Sequence, residues 1–160
     1  ATSPESKTIV VLSTRVNDMR EGEEDVYGLD IALQAARQSP LIPFSLHWIF
    51  IDVNGKLESR CRSEVEALTA MGVRVQYLRV SVDMIRLLRH TDVLLRPTRS
   101  DGDAVSIREA ISMGVAVIAS DASSRPEGVH VFPSGNVAAL VRTLQDVLTT
   151  RPVSNQDTAD

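Results

Sequence analysis

The sequence predicts an α/β domain: a doubly wound parallel sheet of about six strands with flanking helices. Three observations carry this. Short apolar runs rich in β-branched residues alternate with segments of helical periodicity along the chain. The runs are apolar throughout rather than alternating with polar residues, as expected of strands covered on both faces. Glycine, asparagine or proline separates most of these segments.

Taken in order, residues 1–7 form a polar lead-in. Residues 8–13 (TIVVLS) are the first buried strand. Residues 14–27 are polar and acidic, longer than the usual tight turn between strand and helix. Gly28 then leads into a helix on which Leu29, Ala32, Leu33 and Ala36 recur at helical spacing, ending before Pro40. Residues 45–53 (SLHWIFIDV) are a second strand, followed by an Asn-Gly turn. A helix over 57–71 has Leu57, Cys61, Val65 and Leu68 on its inner face and stops at Gly72. Residues 73–78 are a third strand, and Ser81 is placed to cap a short helix carrying Met84, Leu87 and Leu88.

The stretch that organises the rest follows. A buried strand at 91–95 runs into RPTRSDGDAVSIREAISM, residues 96–113, then Gly114 and another strand at 115–119. The pattern is strand, polar loop, helix, glycine stop, strand. Residues 129–132 are a last short strand. Asn136 caps a final helix with Val137, Leu140, Val141, Leu144, Val147 and Leu148 on one face. One domain therefore spans 8–150, and the polar residues 151–160 are read as a disordered tail.

Composition narrows the function. The 160 residues are 43% hydrophobic and 24% charged, ordinary values for one globular domain. The net charge of −4, with Lys and Arg unclustered, argues against a nucleic-acid surface. A single cysteine, Cys61, permits neither an internal disulfide nor a cysteine metal cage, and a cytoplasmic setting is expected. No apolar run is long enough for a spanning helix. The start ATSPESK has neither a methionine nor a signal-peptide core, so a piece of a longer polypeptide is expected. His47, Cys61 and Trp48 read as core residues. The G-x-G-x-x-G fingerprint, the phosphate-loop motif and the G-x-S-x-G elbow are all missing.

In an open parallel sheet, ligands sit beyond the carboxyl ends of the strands, where the loop with Asp101, Gly102 and Asp103 should lie. A helix start there offers free N–H groups and partial positive charge to an anion such as phosphate. Glu109 lies two residues, roughly 200° of helix, beyond the core residue Ile107, so it points away from the core. Spacing alone leaves two readings open: a binding carboxylate, or a solvent-facing glutamate on a helix that an aspartate caps. Asp101-Gly102-Asp103 is also a literal D-x-D metal motif, against which Asp103 as a simple helix cap is favoured.

The segment DVLLRPTRSDGDAVSIREAISMGVAVIASD resembles the donor-binding signature of group 1 (family 4) glycosyltransferases, with Asp101-x7-Glu109 followed by Ala110, Gly114 and VAVIAS. Thr14-Arg15 resembles the family's Gly-Arg, and SSRPEGVHVFPSGNVAALVRTL its pocket-closing segment; together the resemblance covers roughly residues 8–150. It implies the C-terminal, Rossmann-like half of a GT-B fold and a retaining transfer from a nucleoside-diphosphate sugar, UDP- or GDP-linked. No cofactor or metal is required.

By that resemblance Glu109 accepts hydrogen bonds from the ribose. Asp101 contacts the donor sugar, and Arg15, Asp103 and the amides of Ala104, Val105 and Ser106 surround the diphosphate. The base rests against Leu78, Arg79 and Val80. Asp101 and Arg15 are the expected catalytic residues. Three departures stand out: Asp101 replaces a glutamate, Asp103-Ala104 an aromatic-glycine pair, and Tyr27 the lysine before Gly28. Arg20 or Arg99 is then the substitute cation. Arg125-Pro126-Glu127-Gly128 is similar to members that build polysaccharide or lipopolysaccharide. The expected partner is an N-terminal acceptor-binding half of the same polypeptide, which would also make any peripheral membrane contact; without it the piece is expected to transfer nothing. A non-catalytic nucleotide-binding or interaction domain, and a nucleotide-sugar epimerase half, are the alternative readings.

Overall fold

The computed structural model of the 160-residue chain describes residues 6–13, 28–52, 58–79, 83–99 and 105–150. Within them six strands alternate with five helices. The elements are β1 (Ser6–Ser13), α1 (Leu29–Ala36), a 3₁₀ turn (Ser39–Leu41), β2 (Ser45–Asp52), α2 (Glu58–Ala70), β3 (Arg74–Leu78) and α3 (Met84–Leu88). They continue with β4 (Val93–Arg96), α4 (Val105–Ser112), β5 (Ala116–Ser120), β6 (His130–Phe132) and α5 (Val137–Thr150). All strand pairings are parallel, in the order β3-β2-β1-β4-β5-β6. The chain winds outward from β1 to β3, crosses back to β4 and winds out the other way, which is the doubly wound topology the sequence predicts.

The pleat explains why the strands read as continuous apolar runs. Successive side chains point to opposite faces, and both faces are covered. Ile9 and Val11 of β1 join Trp48 and Phe50 of β2 in the larger core, under α1, α2 and α5. Val10, Ile51, Leu94 and Val117 point the other way, into a smaller core closed by Leu88 of α3 and by Ile107 and Ala110 of α4. Trp48 is fully buried, stacks on Phe50 with centroids 6.2 Å apart, and donates its indole N–H to Ser39 Oγ at 2.9 Å. Cys61 is buried, a small core residue as expected. The stripe on α5 buries Leu140, Leu144, Val147 and Leu148, and Asn136 Oδ1 caps this helix by accepting the Ala139 N–H at 2.9 Å.

Local hydrogen bonding moves some boundaries. Thr91 is not in β4: its hydroxyl donates to the Leu87 carbonyl (2.7 Å), holding it in the turn after α3. Asp92 also precedes the strand and is tied to β1 instead, its carboxylate accepting the Thr8 N–H at 2.8 Å and its own N–H donating to the Thr8 carbonyl at 2.9 Å. The strand consequently starts later and runs on through Arg96, which is buried. Asp83 caps α3, accepting the Arg86 N–H, while Ser81, the expected cap, lies outside the described residues. His47 is half-buried rather than a core residue, with Nε2 lying 3.0 Å from Gln76 Oε1 on the neighbouring strand. Burial and the nearby Arg74 lower its pKa, and Gln76 partly opposes them.

Candidate functional site

The strand order reverses between β1 and β4, the point at which an open parallel sheet offers a ligand crevice beyond its carboxyl edge. The start of α1 and the first residues after β4 meet beside this point. Gly28, just ahead of α1, has φ +70°, and a Cβ built there would lie 1.7 Å from the Pro97 carbonyl oxygen. Only glycine lets the two backbones meet so closely with that conformation.

In the first turn of α1, the Asp30 carboxylate receives two hydrogen bonds from the Arg99 guanidinium, both 2.8 Å, and the Ile31 N–H at 2.9 Å. Burial raises the Asp30 pKa, but the Arg99 hydrogen bonds and charge, the Ile31 N–H and the field of Arg60 outweigh it and hold the carboxyl below its ordinary value. Arg99, one of the two cations considered as a lysine substitute, is thus engaged with Asp30 at the start of α1.

A buried polar cluster ties the segment after β4 to the ends of β5 and β6. The Thr98 carbonyl accepts Ser120 Oγ (2.6 Å) and Ser134 Oγ (3.2 Å). Arg125 Nε donates to the Ser120 carbonyl at 2.9 Å and Nη2 to Thr98 Oγ1 at 3.2 Å. Asp121 Oδ1 accepts the Ser134 N–H at 2.8 Å. Thr98 and Ser120 are fully buried, so each polar atom needs such a partner. Arg125, noticed in the sequence only as part of Arg-Pro-Glu-Gly, is here a brace between loops.

The expected site residues divide into two groups. Arg15, Val80, Asp101, Asp103 and Ala104 lie outside the described residues, as do Arg20 and Tyr27. The others fall on the carboxyl side of the sheet. Val105 opens α4 and is exposed, Ser106 is buried beside it, and Glu109 is half-buried on the flank of the helix. The first N–H groups of α4 have no partner within the helix, which leaves donors and partial positive charge at its start. Leu78 ends the edge strand β3 and Arg79 follows it, three strand spacings or roughly 14 Å from β4. Arg79 is paired with Glu58 at 3.1 Å.

Between these groups, at the ends of β2 and β3, the fully buried Asp52 accepts the Tyr77 hydroxyl at 2.6 Å. Arg62 lies over the Tyr77 ring, 5.4 Å from its centroid, and also pairs with Glu58. Burial, and then the Asp52 hydrogen bond and charge, push the Tyr77 hydroxyl well above the ordinary tyrosine range. Sequence reasoning missed Asp30, Asp52 and Tyr77. For Asp52 the available signal was a lone carboxylate closing an otherwise apolar strand.

Among the described residues no group of three or more metal-ligating side chains comes together, and no helix is long and apolar enough to cross a membrane.

A six-stranded parallel sheet in this order, with helices on both faces, defines a Rossmann-like domain of the kind found in GT-B glycosyltransferases. The sequence profile described as "Glycosyl transferases group 1" matches residues 28–150, and the chain belongs to that family.

Solved structures agree on the fold. WaaG, a glycosyltransferase involved in lipopolysaccharide biosynthesis, superposes with a TM-score of 0.71 at 16% identity, over 94% of this chain and 40% of its own. The C-terminal domain of the group 1 family protein LpcC from Francisella tularensis gives 0.70 at 14% identity, over 91% of this chain and 77% of that one. HepE from Anabaena, solved with UDP and glucose, gives 0.70 at 15% identity, over 91% of this chain and 40% of its own. The chain thus spans about two-fifths of WaaG and HepE. No curated protein is significantly similar in sequence.

Proposed function

We propose that this chain is the donor-binding half of a retaining glycosyltransferase that uses a UDP- or GDP-linked sugar in polysaccharide, lipopolysaccharide or other glycoconjugate assembly. The observation that carries the reading is the start of α4 at the carboxyl edge of the sheet, with Glu109 half-buried a turn along the same helix. A helix start suits a diphosphate, and a carboxylate that only accepts hydrogen bonds suits the paired ribose hydroxyls. In this reading the amides of Ala104, Val105 and Ser106, with Asp103 and Arg15, surround the diphosphate. Asp101 faces the sugar, and the base lies toward Leu78, Arg79 and Val80. Stabilisation of the departing diphosphate is electrostatic, and no metal or cofactor is called for. Family membership and the UDP and glucose held by HepE support a nucleotide-sugar donor. The acceptor site belongs to the other half of a GT-B enzyme, so the chain alone binds donor without transferring sugar.

Calorimetric titration with UDP, GDP and ADP tests this. Saturable binding of one nucleotide is expected. Glu109→Ala removes an ionised acceptor, and each hydrogen bond to a charged group contributes about 1.5–3 kcal/mol, so affinity should fall at least about 10-fold. Equal binding of all three nucleotides, or an unchanged Glu109→Ala variant, refutes the assignment. The engagement of Arg99 with Asp30, together with Tyr27 in the place of the family lysine, favours a second reading in which the domain binds nucleotide without catalysis. Sugar transfer by a polypeptide that carries both halves separates the two.

A further inference from the structure

The β1–β4 ladder, where the sheet reverses direction, pairs Ile9 with Val93, Val10 with Leu94 and Val11 with Leu95. Beyond this ladder, two features join the segment after β4 to the start of α1. Gly28 is seated against the Pro97 carbonyl. The Asp30–Arg99 pair joins residues 69 apart in sequence. Their side chains are only 17% and 23% exposed, so water screens the pair weakly. A planar guanidinium forked onto a carboxylate sets orientation as well as distance, which a single hydrogen bond or a lysine would not.

We propose that Asp30 and Arg99 are a positioning pair for the nucleoside diphosphate, fixing the segment that leads from β4 toward α4 against the start of α1. The inference rests on the donor-binding reading above and assigns Arg99 a role within it. Arg99 acts through Asp30 rather than as a point charge on the phosphate, because the carboxylate already balances its cation. This makes a prediction of opposite sign to the obvious alternative, in which Asp30 merely masks a phosphate-binding arginine. Neutralising Asp30 would unmask the cation and tighten binding in that case; under the positioning role it loosens that segment and weakens binding.

The test titrates the 160-residue chain with UDP and GDP, and by ligand-observed NMR with uridine and guanosine. The variants are Asp30→Asn, Arg99→Gln, the two combined, and Arg99→Lys, each checked for native far-UV dichroism. The expected result is a roughly 10-fold loss of diphosphate affinity in each single variant, no further loss in the double, and unchanged nucleoside binding. Arg99→Lys, which keeps the charge and loses the fork, should weaken binding as well. A general loss of structure would move nucleoside and diphosphate together, and that outcome overturns the positioning role. So does tighter binding by Asp30→Asn, or diphosphate affinity unchanged in both single variants. If the unmodified chain binds neither UDP nor GDP at millimolar concentration, the donor reading itself falls and this inference with it.

Discussion

Replacing Gly28 by alanine tests the geometry of the crevice directly, because two separable costs meet at that residue. The first is conformational: at φ +70° an L side chain is strained by about 1–2 kcal/mol. The second is steric. The new Cβ would sit 1.7 Å from the Pro97 carbonyl oxygen, where ordinary contact begins at 3.4 Å. Backbone cannot swing aside as a flexible side chain can, so the two segments must part, at the cost of about 1–3 kcal/mol typical of overpacking. Against these stands the smaller freedom of alanine in the unfolded chain, a gain of about 0.4–1 kcal/mol. The net loss is about 2–4 kcal/mol, or roughly 5–15 °C in Tm for a domain of this size.

Gly72 provides the control. It has φ +85° with nothing within 4 Å of the added Cβ, so alanine there meets the conformational cost alone. Thermal unfolding of both variants, followed by far-UV dichroism, isolates the contact. If Gly28→Ala is no more destabilising than Gly72→Ala, the close approach to Pro97 is refuted.

Two further perturbations complement the nucleotide titration of Glu109→Ala. Asn136→Ala removes the cap of α5 and should lower stability by about 1 kcal/mol in urea unfolding, with Asn136→Ser close to neutral; an equal loss in both would show that the side-chain oxygen is not the cap. Tyr77→Phe deletes the hydroxyl held by buried Asp52 and should cost about 1–3 kcal/mol. The same hydroxyl has a native pKa above its ordinary value of 10.0, so its contribution is complete below pH 10 and is lost as the pH climbs from there toward the native pKa. Absorbance titration at alkaline pH should show one of the two tyrosines resisting ionisation in the folded chain, and Tyr77→Phe should abolish that resistant component. Ordinary ionisation of both would contradict the buried pair.

These sites share a design. The polar groups at the carboxyl edge, Asp30, Asp52, Thr98, Ser120 and Arg125, are mostly paired with one another across connections rather than along them. Each bond is modest, but removing one partner leaves a buried group unsatisfied, which costs more than the bond contributed. Such a cluster keeps the loops around the crevice in one arrangement, and a binding site gains from being organised before its ligand arrives.

The chain's local chemistry fixed much of this in advance. Uniformly apolar, β-branched strands such as TIVVLS could only be buried on both faces, and the α5 stripe of Leu140, Leu144, Val147 and Leu148 could only be one side of a helix. Both are properties of neighbouring residues, so they are legible without coordinates, as were the Asp101-to-Glu109 spacing and the family it marks. Boundaries were less legible where a side chain bonded backbone: Thr91 and Asp92 looked like strand, but Thr91 is held by the Leu87 carbonyl and Asp92 by Thr8 of β1, ahead of β4.

Tertiary structure decided what periodicity does not encode. Strands apolar on both faces carry little record of which neighbour they take, so the order that places β1 beside β4, and with it the crevice, emerged only when the sheet closed. The pairs Asp30 with Arg99 and Asp52 with Tyr77 followed for the same reason. A charged or polar side chain is specified locally as something to be solvated, and only the completed fold buries it and brings it a distant partner that compensates.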